Sequence, residues 1–264
     1  MKIGIVIPIY KSDLSHNEEL SLRQCSKVLA NYDIIIATNK TVNLSKYYCI
    51  FDKNKLLIEY FPEFFFLGIY GYNQLTLSKL FYRRFKIYDY ILIYQTDAYV
   101  FKDELTIWVS KGYDYIGSPF VSNFYRKSKN EKEFSFVGNG GFSLRKISAF
   151  LDSYKGFRWY YLYCKSQVPP RHWYTYLRYV FVLIQAFYFK HSIAKKIPCQ
   201  IFEDIIWSTM LKNKPSVEEA MSFSFEKHPS RMYALIGNQL PFGCHAWEKN
   251  EKDSFWKDFI PFEQ

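Results

Sequence analysis

The stretch YDYILIYQTDAYVF, residues 88–101, decides how the chain folds. Its first half, Tyr90-Ile91-Leu92-Ile93-Tyr94, is apolar and aromatic without a break. A run apolar on both faces suits a central strand of a sheet covered on both sides better than an edge strand. The run stops at Gln95-Thr96-Asp97 and apolar residues resume at Ala98. A carboxylate at the end of a buried strand has lost much of its water. It needs a cation, a metal or several donors to stay ionised. In open α/β sheets, ligands bind just beyond the carboxyl ends of the strands. Asp97 therefore has two readings: a ligand for a divalent metal that in turn holds a phosphate, or a turn or N-cap aspartate.

The flanking sequence supplies the rest of a parallel sheet. IGIVIPI (3–9) and DIIIAT (33–38) read as buried strands, and 17–30 between them has helical periodicity with Leu20, Leu22, Cys25, Val28 and Leu29 inward. Strand, helix and strand in this order form a βαβ unit. A shorter strand is expected over 56–61 and a helix over 71–85, leading into the strand at 88–94. The second half is less regular. A short strand and a Gly-Ser-Pro turn fall within 108–120, and FSFVGNGGFSL (134–144) reads as strand, glycine corner, strand. A helix is expected to begin near Arg145. Residues 200–211 form another, with Ile205, Ile206, Thr209 and Met210 inward, and strands near 223–225 and 243–247 close the fold.

The bulk numbers narrow the class. With 264 residues and 49% hydrophobic content, the chain buries a large core, and disorder is excluded. Five scattered cysteines without a CxxC spacing fit a reducing cytosol rather than a disulfide framework or zinc knuckle. The opening MKIGIVIPIYK has no small-residue cleavage site and reads as a first strand rather than a secretory signal. The net charge of +10 is concentrated. Residues 155–196 hold eight Lys or Arg and no Asp or Glu, leaving about +2 for the remainder. One basic segment points to a local acidic surface rather than to nucleic acid along the whole chain.

Six motifs follow in order: IPIYK (7–11), YILIYQTDAYVF (90–101), GYDYIGSPF (112–120), VGNGGFSLRK (137–146), FEDIIWS (202–208) and FGCHAW (242–247). Together they resemble nucleotide-sugar glycosyltransferases of the GT-A fold. The nearest likeness is to a bacterial family formerly described only as a domain of unknown function. The resemblance implies a GT-A-like α/β architecture with a mostly parallel central sheet. Asp97 takes the place of the last acid of a DxD-like metal motif, with Gln95 where the first acid stands, and His245 is a further ligand for Mn²⁺ or Mg²⁺. Asp204 corresponds to the general base of an xED motif, and Glu203, about 100° around the helix, is assigned to acceptor binding. A helix N-terminus would lower the Asp204 pKa, which works against a base. Donor binding is assigned to Pro8, Tyr10, Lys11 and Thr38 around the nucleotide, Asn73 and Lys79 on the following helix, Gln95 and Thr96 beside the metal, and Asn139, Gly140 and Gly141 at the transferred sugar.

The basic segment departs from that pattern. It carries thirteen aromatic residues beside its eight cations. Arg171, Arg178 and Gln185, seven residues apart, share one helical stripe, with Trp173 among the apolar residues around it. The uncharged run 179–189 is too short to span a bilayer, which takes ~20 residues. A helix lying in the interface of an anionic membrane is the expectation; the alternative is a hairpin packed on the domain or on a second copy in a homodimer. No nucleic-acid motif accompanies the charge.

The sequence thus leads to a single GT-A-like catalytic domain over 1–264 with an inserted segment at 155–198. It would be cytosolic and peripheral on the inner face of the cell membrane. Its expected activity is transfer of a sugar, with inversion, from a nucleotide donor (UDP rather than GDP) to a growing, lipid-linked surface glycan. A sugar nucleotidyltransferase is a rival, although IPIYKSDLS lacks the glycine-rich loop that would need. A non-catalytic carbohydrate- or membrane-binding module is a second, kept open by Gln95.

Overall fold

The computed structural model describes residues 1–52, 56–121, 134–167, 175–193 and 202–262. The run Tyr90–Tyr94 is a strand with all five residues buried. Its side chains alternate between two cores, Ile91 and Ile93 in one and Tyr90, Leu92 and Tyr94 in the other. The sheet is covered on both faces, so the strand carries no polar alternation.

In chain order the strands are β1 (Ile3–Pro8), β2 (Asp33–Thr38), β3 (Leu57–Tyr60), β4 (Tyr90–Tyr94), β5 (Ala98–Val100), β6 (Tyr115–Ile116), β7 (Pro119–Val121), β8 (Phe134–Val137), β9 (Phe142–Lys146), β10 (Ser224–Phe225) and β11 (Gly243–His245). The main sheet runs β3-β2-β1-β4-β9-β6. Strands β1 to β4 pair in parallel, and β9 lies antiparallel to both β4 and β6. The chain builds outward from β1 to β3 and then returns to lay β4 on the other side of β1. The direction of build reverses between β1 and β4, and a crevice opens beyond their carboxyl ends. Beside it sit a three-stranded sheet, β10-β11-β5, and the β7–β8 pair.

Local signals explain most helix boundaries. Helix His16–Val28 begins at a reciprocal cap in which Ser15 and Glu18 each accept the other's backbone N–H. The helix expected over 71–85 is instead two, Gly68–Leu77 and Lys79–Arg84. Ser78 between them is extended and its hydroxyl accepts the Phe81 N–H, so a cap replaces helix continuation. Arg145 belongs to β9, and the helix expected there starts at Ile147. In helix Glu203–Met210 the inward side is Ile206, Trp207 and Met210, while Thr209 is exposed.

The helices Arg158–Gln167 and Thr175–Lys190 pack on the domain. Trp159, Tyr163, Val182, Ala186 and Phe189 join the core that contains Ile91 and Trp207, and Trp159 Nε1 donates to the Ala186 carbonyl at 2.8 Å. Gln185 is 3% exposed, with Tyr163 Oη 3.4 Å from its amide oxygen. The stripe that Gln185 shares in sequence with Arg171 and Arg178 is therefore turned inward at Gln185. Arg178 lies in the same helix, and Arg171 and Trp173 fall outside the described residues. No helix among the described residues is long and apolar enough to cross a membrane.

Candidate active site

Strand pairing brings distant residues to one point. β5 begins at the residue after Asp97, β11 ends on His245, and the register sets Ala98 opposite His245. His245 Nε2 then lies 3.2 Å from Asp97 Oδ1 and 3.0 Å from Gln95 Oε1, a partner 150 residues away in sequence. Lys249 Nζ donates to Asp97 Oδ2 at 3.0 Å. Asp97 does sit in a tight turn, with Ala98 N–H donating to the Gln95 carbonyl at 2.9 Å, yet its carboxylate bonds side chains. Burial by itself would raise its pKa; His245 and Lys249 reverse that and hold it well below the usual carboxylate range. Asp97 is ionised throughout the physiological range. Burial would lower the His245 pKa, but Asp97 more than compensates, aided by Glu226 at 3.8 Å from Nδ1.

The glycine corner closes over this group. Gln95 N–H donates to the Gly141 carbonyl at 3.0 Å, continuing the β4–β9 pairing beyond Tyr94. A Cβ on Gly141 would overlap the His245 ring, and one on Gly140 would overlap the Glu203 carboxylate. Asn139 Oδ1 accepts the Gly141 N–H at 3.1 Å and fixes the corner.

Glu203 and Asp204 are neighbours with opposite surroundings. Glu203 is buried and takes a two-pronged bond from the fully buried Arg145, Nη2 to Oε1 at 2.8 Å and Nη1 to Oε2 at 3.1 Å. Its backbone N–H donates to Asn73 Oδ1 at 3.0 Å. Glu203 therefore anchors the helix start to β9, while it also lines the cleft. Asp204 has no such cation. Burial and then the charge of Glu203 raise its pKa from 3.8 to about 7, against the opposing N–H of Ile205. The helix-start N–H does lower it, and exclusion of water outweighs that effect.

These groups line one cleft of about 840 Å³ together with Pro8, Tyr10, Lys11 and Thr96. Glu18 ties this side of the cleft together: it pairs with Lys11 at 2.7 Å and accepts from Thr96 Oγ1 at 2.8 Å. The opposite wall is apolar, built on the stacked rings of Phe120 and Phe136, 4.5 Å apart, with Ile69, Phe202 and Ile205. Thr38 and Lys79 are not part of the lining. Thr38 is fully buried and donates to the Ile9 carbonyl at 2.8 Å, and Lys79 opens the helix Lys79–Arg84. Sequence reasoning missed Glu18, Arg145, Glu226 and Lys249. For Glu18 the Ser-x-x-Glu spacing was a readable signal. The others act only through partners far away in sequence.

The donor set at Asp97 is one carboxylate oxygen, one imidazole nitrogen and one amide oxygen. Such donors suit Mn²⁺ or Mg²⁺, and the two oxygens already lie within 3.2 Å of His245 Nε2. Among the described residues, no three His, Cys, Asp or Glu side chains form a metal cluster, so the chain offers part of a coordination shell.

A family model described as "protein of unknown function (DUF5672)" matches residues 55–245. The chain belongs to the DUF5672 family. No curated protein matches the sequence. Among solved structures, this DUF5672 protein is similar to the galactosyltransferase LgtC in complex with donor and acceptor sugar analogues, with 9% identity, 92% of this chain and 86% of that chain covered, and a TM-score of 0.52. It is also similar to mouse xyloside xylosyltransferase 1 in its apo form, with 10% identity, 93% and 97% covered, and a TM-score of 0.51. At these identities the likeness establishes the fold, which for this DUF5672 protein is that of the GT-A glycosyltransferases.

Proposed function

We propose that the protein is a glycosyltransferase that moves a sugar from a nucleoside diphosphate donor, a UDP-sugar, to a hydroxyl of a growing surface glycan, with inversion. The observation that carries this is one cleft at the switch point of a GT-A sheet that holds Asp97 bonded to His245 and Lys249 and Asp204 without a direct cationic partner, which drives their acidities apart. The similar proteins are a galactosyltransferase and a xylosyltransferase, which supports sugar transfer as the reaction class.

In this reading the donor's nucleotide lies against Pro8, Tyr10 and Lys11, and its diphosphate reaches Asp97 and Lys249. Asp97, His245 and the Gln95 amide would hold Mn²⁺ or Mg²⁺, with phosphate oxygens and water completing the shell. Bound there, the ion would offset charge on the departing diphosphate. Lys249 Nζ, 3.0 Å from Asp97 Oδ2, adds a fixed positive charge to the same end. Asn139 and the glycine corner face the transferred sugar. The acceptor enters along the Phe120–Phe136 wall, and the Asp204 carboxylate takes the proton of its attacking hydroxyl as the new glycosidic bond forms. Glu203 and Arg145 hold the start of the base helix so that Asp204 keeps its position. The acceptor is lipid-linked, and the protein works at the inner face of the cell membrane.

The test is a donor panel with purified protein and Mn²⁺, reading donor hydrolysis and nucleotide binding. Wild type should hydrolyse one class of nucleotide sugar. Asp204→Asn should bind that donor normally and lose transfer. Unchanged turnover in Asp204→Asn would remove its role as base, and no nucleotide binding at all would favour a non-catalytic module.

A further inference from the structure

Helix Thr175–Lys190 turns one side inward and leaves the other bare. Val182, Gln185, Ala186 and Phe189 are buried. Val180, Phe181, Leu183, Ile184 and Phe187 are 40–58% exposed. At 100° per residue these five form one continuous face, extended past the helix end by exposed His191 and Ile193. Phe157, 80% exposed just before the neighbouring helix, and Tyr161 within it add to the exposed apolar surface. Soluble proteins seldom expose contiguous apolar patches of this kind without a use for them.

We infer that this face docks on the surface of an anionic bilayer, with Phe181, Ile184 and Phe187 entering the interface. The charge of the segment that carries the face selects that occupant. Residues 155–196 contain eight Lys or Arg and no acid. Arg158 stands exposed beside Phe157, and Lys155 is 76% exposed though paired with Asp152 at the patch edge. Lys190 Nζ donates to the Gly156 carbonyl at 2.6 Å and lies over the Tyr160 ring, which ties the end of one helix to the start of the other. An apolar face on a segment whose own sequence holds eight cations and no acid matches an anionic interface, into which such helices sink by ~5–10 Å.

The face also differs from the one the cationic stripe suggests. Gln185 faces the domain, whereas the residues entering lipid are the exposed apolar ones, with Ile184 about 100° and Phe187 about 160° around the helix from it. The docking face shares a rigid core with the base helix: Trp159 and Trp207 rings lie 5.9 Å apart. Docking would hold the cleft at a set height above the lipid surface. That deepens the proposal of a lipid-linked acceptor and rests on it only for its purpose, not for the binding itself.

The experiment is co-sedimentation with vesicles of phosphatidylcholine mixed with phosphatidylglycerol, and with phosphatidylcholine alone, in the absence of donor and acceptor. Wild type should bind the anionic vesicles and lose binding as salt rises. Ile184→Glu with Phe187→Glu should weaken binding by about tenfold or more, with the thermal melting curve unchanged because both side chains are exposed. Ile107→Glu, an equally exposed isoleucine on a distant helix, should bind as wild type. Binding unaffected by the double substitution would overturn the inference. So would a protein that is dimeric, fails to bind vesicles and becomes monomeric in the double variant, which would give the face to a second copy. Because no sugar transfer is read, either result leaves the catalytic reading to its own test.

Discussion

Replacing Asp204 with Asn should make the protein more stable at neutral and alkaline pH while removing its activity. The reasoning starts from the two states of one carboxyl. Unfolded, it ionises near the ordinary value of 3.8; folded, burial first and the Glu203 charge second delay this to about 7. Between those values the native protein holds a proton that the unfolded chain has released. Stability therefore falls as pH rises through the window from about 4 to about 7, and the whole cost is present above it. At about 1.4 kcal/mol per pH unit the interval corresponds to roughly 4 kcal/mol. Solvent at the cleft mouth screens a half-buried group, so about 2–4 kcal/mol is the usable range.

Asparagine has nearly the same shape and no charge to desolvate. Urea unfolding midpoints of wild type and Asp204→Asn, measured across about pH 4.5 to 8 with equal slopes, should be close at the acid end and diverge in favour of the variant above pH 7. Transfer by the wild type should meanwhile fall about tenfold per pH unit below about 7, as the base becomes protonated. A stability gap that does not change with pH, or a variant less stable at pH 8, would show a well-solvated carboxylate that cannot be held near neutrality. The same residue would then be an ordinary helix-end acid.

Other substitutions probe the opposite end of the cleft and its frame. Asp97→Ala should weaken Mn²⁺-promoted UDP binding by more than about tenfold in calorimetry, and unchanged binding would place the ion elsewhere. Gly141→Ala should have a similar effect with the fold intact by circular dichroism, since its methyl group would displace the His245 ring. Arg145→Met should cost about 3–5 kcal/mol in denaturant unfolding by leaving Glu203 as a buried unpaired charge, and adding Glu203→Leu should recover most of that. If the single variant is as stable as wild type, the pair does not anchor the helix.

Much of the fold could be read from local pattern. The β4 run has no polar alternation because two cores share it, and the βαβ unit at the N-terminus places β1 between β2 and β4. Local pattern failed where a single residue chose between equal options. Ser78 caps a new helix rather than extending the old one, and the apolar spacing of Leu77, Leu80 and Phe81 is compatible with either. In Thr175–Lys190 the helix itself was legible and its orientation was not. With nearly every position apolar, periodicity could not tell which side faces the domain, and the polar residue went inward to meet Tyr163.

The site shows a different limit. Asp97, His245, Asp204 and the glycine corner are each short motifs, but what they do depends on long-range pairing that no window of sequence contains. Glu203 is the clearest case. Side by side with Asp204 at a helix start, it looks like an acceptor-binding acid, and only the strand position of Arg145, 58 residues away, reveals a structural anchor. That anchor matters for the chemistry. Were Arg145 aimed at Asp204 instead, the base would be tied up as Asp97 is by His245 and Lys249, and would be too weak to accept a proton near neutral pH. By giving its charge to Glu203, Arg145 leaves Asp204 buried without a direct cationic partner, and desolvation raises its affinity for a proton. Two carboxylates in one cleft are thus driven apart in acidity by environment, one held as an anion by its cations and one near neutrality, which is what the proposed reaction needs of a diphosphate end and a base. A cleft with both carboxylates paired to cations would bind a donor and leave the acceptor hydroxyl without a base.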